Sequence, residues 1–93
     1  MALKKFMIER DIPKVGALDA EQLAGAATKS NEALCNIGAK DIQWVHSYVT
    51  ADKTFCVYLA SNEAAIQRHA EMSGFPANKI TEIVETIDPA TAK

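Results

Sequence analysis

Residues 44–60, WVHSYVTADKTFCVYLA, decide the fold because two β-rich runs flank a short polar stretch. IQWVHSYV (residues 42–49) and TFCVYLA (residues 54–60) are rich in β-branched and aromatic residues, a composition typical of strands. The stretch TADK, residues 50–53, separates them and provides a turn. These residues therefore predict a β-hairpin near the centre of the chain.

The segment before the hairpin predicts one strand and one helix. A first strand covers residues 3–12 and stops at Pro13, because proline cannot donate to a β-ladder. Asp19 and Gln22 have the spacing of a capping box, which predicts a helix over residues 20–37.

The segment after the hairpin repeats this plan in reverse. Ser61 or Asn62 begins a second helix, and a last strand covers residues 79–87. The order β-α-β-β-α-β is the ferredoxin-like arrangement. We predict an α+β fold in which residues 1–93 form one domain, with a four-stranded antiparallel sheet and two helices on one of its faces.

Composition and charge exclude several classes of function. The net charge is −2, and the ten Lys and Arg residues are spread along the chain, so the sequence lacks the basic patch that binds nucleic acid or anionic membranes. From its N-terminal residues and its hydropathy we expect neither a secretory signal nor a membrane span. The two cysteines have no CxxC spacing, and we expect reduced thiols in a cytoplasmic protein.

The register of the hairpin decides which side chains the helices cover. A three-residue loop over residues 50–52 gives these facing pairs: Trp44 with Tyr58, His46 with Cys56, and Tyr48 with Thr54. An aliphatic set then lies on the face that we expect the helices to cover: Val45, Val49, Phe55, Val57 and Leu59. The other face carries Trp44, His46, Tyr48, Cys56 and Tyr58. We expect this second face to meet a second copy of the chain, as in a dimeric α+β barrel, and to line a cavity.

Three side chains are the main candidate metal ligands. His46 and Cys56 offer an imidazole and a thiolate, which nickel, copper and zinc accept. His69 on the second helix is a further imidazole, and Glu9 is a weaker carboxylate candidate. The candidate residues for contact with a bound small molecule or cofactor are Trp44, Tyr48 and Tyr58. Each of these residues also has a plain structural interpretation, as a hydrogen-bonded histidine, a buried thiol or an interface aromatic.

Four stretches of the chain resemble a family of small bacterial proteins that includes nickel-binding, dimeric ferredoxin-like members. They are ERDIP, IQWVHSYVTADKTFCVYLA, NEAAIQRHAEMSGFPANKITEI and IDP. The resemblance implies a cytoplasmic homodimer with nickel or a similar divalent metal as its ligand. Carried over by position, it implies His46 in WVHSYV, His69 in QRHA and Cys56 in TFCVY as candidate ligands.

Three hypotheses of function follow from these observations. The first is a metal-binding protein that uses the two histidines and Cys56. The second is an enzyme resembling the dimeric α+β barrel monooxygenases and isomerases, in which His46, Tyr48 and Tyr58 act on a small apolar molecule. The third is an interaction module whose aromatic face is buried by its own copy and binds nothing else.

Overall fold

The structure, a computed structural model, describes residues 2–92. The elements follow in the order β1 (Lys4–Asp11), α1 (Ala20–Ile37), β2 (Ile42–Val49), β3 (Lys53–Ala60), α2 (Glu63–Ser73) and β4 (Lys79–Ile83), with short 3-10 turns at Val15–Ala17 and Pro89–Thr91. The strands form one antiparallel sheet in the order β2-β3-β1-β4. The predicted ferredoxin-like α+β fold is confirmed.

Local signals place both helix starts where the sequence predicts them. The Asp19 carboxylate accepts a hydrogen bond from the Gln22 backbone N–H at 2.8 Å, and the Gln22 side chain accepts one from the Asp19 N–H at 3.0 Å. Asn62 caps α2 by accepting from the Ala65 N–H at 3.0 Å. Within residues 2–92, neither α-helix has the length and apolar character needed to cross a membrane.

Strand β4 is shorter than the sequence predicts. Its last pair joins Ile83 to Lys5, and β1 itself begins at Lys4. The chain beyond Ile83 therefore runs past the start of its neighbouring strand, where backbone pairing ends. Val84 is 89% exposed and Ile87 is 74% exposed.

The hairpin register differs from the prediction because β2 contains a bulge. Trp44 lies opposite Tyr58 as predicted, but His46 lies opposite Val57 and the ladder shifts between Trp44 and His46. Val45 is the extra residue, and such a residue reverses the alternation of side chains after it. The hairpin loop is also shorter than predicted. Thr50 donates its N–H to the Lys53 carbonyl at 2.9 Å, so these two residues pair and only residues 51 and 52 form the loop.

The prediction of which face the helices cover is wrong. The buried cluster contains Cys56, Tyr58 and Ala60 of β3, and the predicted aliphatic set of that strand lies on the other side. Strand β1 explains the choice, since Phe6 and Ile8 pair with Tyr58 and Cys56 and share their face. The side chains that pack under the helices are therefore an apolar group from β1 together with the large aromatics of β2 and β3.

Candidate functional site

A cavity of about 270 Å³ lies between α1 and the helix-covered face of the sheet. Trp44, Cys56 and Tyr58 form part of its sheet side. Its other apolar walls come from Ile12, Val15, Leu18, Leu23, Ala26, Ala27, Val49 and Phe75. The alanines of α1 leave space above the aromatic side chains of the sheet. Small-molecule sites are concave and mostly apolar with a few polar groups, and this cavity has that character.

Arg10 supplies the charged group of this cavity. It is 2% exposed, and its Nη1 donates to the carbonyls of Phe75 at 3.3 Å and Pro76 at 3.0 Å. No carboxylate of residues 2–92 lies within ion-pair distance of its guanidinium. A guanidinium remains charged in proteins, so a positive charge is buried here without a carboxylate counter-ion.

His69 contacts Arg10 from α2. Its Nδ1 lies 3.5 Å from Nη2 of Arg10, and its Nε2 lies 3.0 Å from the Ser30 Oγ of α1. Because a guanidinium can only donate, Nδ1 accepts, and the proton of the neutral ring sits on Nε2 and points to Ser30. Burial, together with the nearby Arg10 charge, lowers the pKa of His69 from 6.5 to about 4. The imidazole is therefore neutral at physiological pH.

Tyr58 and Trp44 form the aromatic part of the cavity. Their ring centroids are 6.5 Å apart with an interplanar angle of 19°, and the Trp44 Nε1 donates to the Ser47 Oγ at 2.9 Å. Burial raises the pKa of Tyr58 above 10.0, so its hydroxyl stays protonated. The Arg10 guanidinium carbon lies 5.9 Å from the Tyr58 ring centroid, within the range of a cation–π contact.

The face opposite the helices has an apolar centre, and we call it the open sheet face. One row of it crosses all four strands through Thr81, Met7, Val57 and His46. Tyr48 of the same face is 58% exposed. The open sheet face consists of Lys5, Met7, Glu9, Asp11, Gln43, His46, Tyr48, Lys53, Phe55, Val57, Leu59, Lys79, Thr81 and Ile83.

Comparison with known proteins identifies the family. Residues 6–83 match the family described as nickel responsive protein SCO4226-like. The chain belongs to the SCO4226-like family. A crystal structure of SCO4226 from Streptomyces coelicolor A3(2) shares the fold with a TM-score of 0.73 at 16% identity, covering 89% of this chain and 99% of that one. No curated protein gives a significant match.

For a member of the SCO4226-like family, the positions of the predicted metal ligands matter most. His46 lies on the open sheet face, whereas His69 and Cys56 lie on the helix-covered side. Residues 2–92 contain no group of three or more His, Cys, Asp or Glu side chains placed to hold one metal ion. Residues 2–92 of one chain of this SCO4226-like protein therefore do not bring the three predicted ligands together, and alone they do not form a metal site.

The remaining predicted site residues divide in the same way. Trp44 and Tyr58 line the cavity, but Tyr48 lies on the open sheet face beside His46, with the two ring centroids 5.0 Å apart. Cys56 is a free, buried thiol whose Sγ lies 3.6 Å from the Thr54 Oγ1. Glu9 lies on the open sheet face at 4.0 Å from both Lys53 and Lys79. The cavity that Trp44, Cys56 and Tyr58 line belongs to one chain, and the predicted cavity between the sheets of two subunits stays a prediction.

Sequence reasoning missed the two polar residues that complete the cavity. Arg10 follows Phe6 and Ile8 at alternate positions of β1, which places it on their buried face. Ser30 lies three residues after Ala27 and four before Leu34, on the apolar stripe of α1. A charged or hydroxyl side chain within such an apolar pattern was the available signal in both cases.

Proposed function

We propose that this protein is a cytoplasmic homodimer that binds a nickel-type divalent cation at the open sheet face, with His46 as a ligand. Membership of a family described as nickel responsive supports the metal. The observation that carries the proposal is the exposure of His46 on the open sheet face of a sheet whose other face is packed under helices. A neutral imidazole is a good ligand for nickel.

His69 is the weaker candidate because both of its ring nitrogens are already engaged. A metal at either nitrogen would replace the contact with Arg10 or the contact with Ser30. His69 is also 1% exposed, so a metal would have to enter the packed layer to reach it. We therefore propose that His69 has a structural role, in its contacts with Arg10 and Ser30, and that His46 binds the metal.

A second copy of the chain is the proposed source of the remaining ligands. The open sheet face has half-buried Met7, Phe55 and Leu59 around the buried Val57 at its centre, and a contiguous apolar patch of this kind favours association. A twofold dimer uses the same patch on both subunits. Such a dimer would bury the apolar centre and carry each His46 to the surface of the partner subunit.

Calorimetric titration of Ni²⁺ into protein without a histidine tag tests the proposal. The matched variants are His46→Gln and His69→Gln, which remove one imidazole each by the same substitution. We expect His46→Gln to abolish nickel binding, because it removes the proposed imidazole ligand. His69→Gln should retain it. Loss of binding only in His69→Gln, or binding in neither wild type nor variant, would overturn the proposal.

The other two hypotheses make different demands on the same residues. The enzyme hypothesis needs His46, Tyr48 and Tyr58 in one cavity, but Tyr58 lies on the helix-covered side and the other two lie on the open sheet face. The interaction-module hypothesis needs only the apolar centre of the open sheet face. It predicts a dimer that does not bind nickel, and the same titration distinguishes this hypothesis from the metal-binding one.

A further inference from the structure

We infer that the cavity between α1 and the sheet binds a small organic anion, with an apolar body against the cavity walls and a carboxylate-type head group at Arg10. This site is separate from the metal proposal, because it lies on the helix-covered side of the sheet. It rests on a buried cation without a counter-ion, and on an apolar cavity beside that cation.

The unbalanced charge of Arg10 is the first observation. Burying an ion is unfavourable unless it is paired and hydrogen-bonded, and Arg10 is 2% exposed. Its neighbours His69 and Tyr58 are both neutral at physiological pH, since burial lowers the pKa of His69 to about 4 and raises that of Tyr58. None of these groups compensates the charge, and an anion in the cavity would.

The acidic residues next to Arg10 in the chain are directed elsewhere. Glu9 and Asp11 alternate with Arg10 along β1 and therefore point to the other side of the sheet. There both carboxylates lie within 4.0 Å of the Lys53 ammonium. The cavity lining contains Arg10 as its charged residue and includes neither Asp nor Glu, so nothing in the lining repels an anion.

The rest of the lining selects the body of the ligand. The walls are mostly aliphatic and aromatic, and Trp44 and Phe75 offer ring surfaces. The volume of about 270 Å³ lies just below the range of about 300–1,000 Å³ typical of drug-sized ligands. A short aryl or alkyl carboxylate fits these limits, because its apolar part fills the cavity and its head group reaches the guanidinium.

A second cation lies near the cavity. The Lys29 ammonium of α1 is 5.7 Å from the centroid of the Phe75 ring, which lines the cavity. Lys29 is exposed, so its charge acts at longer range than that of Arg10. Charges of one sign around a cleft raise the local concentration of ligands of the opposite sign, and Lys29 therefore favours the entry of anions.

Fluorescence of Trp44 tests the proposal directly, because Trp44 is the single tryptophan of the chain and lines the cavity. The probes are phenylacetate and octanoate, each compared with its uncharged amide, phenylacetamide and octanamide. We expect a saturable change with at least one acid, and binding about tenfold or more weaker for the matching amide, because a hydrogen bond to a charged partner is lost.

Two variants of α1 locate the binding. Ala27→Phe places a ring in the cavity, whereas Ala24→Phe adds the same ring at an exposed position of the same helix. Loss of acid binding in Ala27→Phe, with binding retained in Ala24→Phe, supports the proposal. It is overturned if neither acid binds at millimolar concentration, if acid and amide bind equally, or if Ala27→Phe binds like wild type.

Discussion

Nη2 of Arg10 lies 3.5 Å from Nδ1 of His69, and both side chains are almost completely buried. The contact fixes the tautomer of His69 and joins β1 to α2. Ser30 extends it to α1 through its Oγ, 3.0 Å from the other ring nitrogen. Three elements thus meet at one polar chain inside an apolar layer, so the protonation of His69 should affect stability.

Lowering the pH should destabilise the protein through His69. Its pKa is about 4 in the folded protein, against 6.5 for an ordinary histidine. Between these two pKa values the unfolded chain binds a proton that the folded chain does not, so protonation favours unfolding. The stability that depends on neutral His69 is therefore fully present above pH 6.5 and is lost as the pH falls towards 4. Urea unfolding at about pH 7.5 and about pH 4.5 should give a loss on the order of 2 kcal/mol from this group.

The control for this prediction is His69→Gln, which does not titrate in that range. Carboxylates also gain protons near pH 4 and contribute to the loss in both proteins. The expected result is a smaller pH-dependent loss in the variant, although the variant is less stable at neutral pH. An equal loss in both proteins would contradict the assignment of this pH dependence to His69.

Removing the charge of Arg10 should raise the pKa of His69. Burial is the larger cause of the lowered pKa and the Arg10 charge is the second. In Arg10→Met the second cause disappears, so the pKa should move up from about 4 towards the ordinary value of 6.5. NMR titration of the imidazole resonances measures it. Lys29→Met removes a cation that does not contact His69, so it should leave the pKa of His69 unchanged. A lower pKa of His69 in Arg10→Met would contradict the role given to the Arg10 charge.

Deleting Val45 should be tolerated. It is the extra residue of the β2 bulge, and its removal joins Trp44 to His46 while each keeps its partner on β3. Side-chain alternation then stays regular, so we expect a change within about 1 kcal/mol in the free energy of unfolding. Deletion of Ser47 is the contrasting variant.

Deletion of Ser47 turns Tyr48 and Val49 to the wrong faces, because a one-residue slip inverts every following side chain. We expect this protein to lose about 3 kcal/mol or more, as in other severe disruptions of a packed layer. Urea unfolding compares the two deletions. Equal stability of the two proteins would contradict the bulge at Val45.

A charge at the centre of the open sheet face should prevent dimerisation. Met7 lies beside Val57 in the row that crosses all four strands and is half-buried in one chain. Met7→Lys places an ammonium where two apolar faces would meet, and burying it there is unfavourable. Sedimentation velocity should show wild type as a dimer and Met7→Lys as a folded monomer. Gln67→Lys, at an exposed position of α2, should remain dimeric, and a monomeric wild type would contradict the proposed interface.

Much of the fold was predictable because its signals are local. The capping box of Asp19 and Gln22 and the composition of the hairpin act within a few residues, and the order of elements then leaves few topologies. The covered face was not predictable from the hairpin alone. Alternation separates two faces but does not say which one the helices choose, and Phe6 and Ile8 of a distant strand decide it.

The candidate site was predictable only in part for the same reason. Trp44, Cys56 and Tyr58 were correctly grouped, because they share one face and lie near one cavity. His46 was grouped with them wrongly, since the bulge at Val45 inverts the alternation after Trp44. No feature of the sequence marks a bulge there.

Anomalous diffraction above the nickel absorption edge can locate nickel bound at His46. Crystals of protein without a histidine tag are grown with Ni²⁺, and the anomalous map is examined around both imidazoles. We expect a peak about 2 Å from a ring nitrogen of His46, where two copies would meet at the open sheet face. A peak at His69 and Cys56, or no peak at His46 in a nickel-soaked crystal, would contradict it.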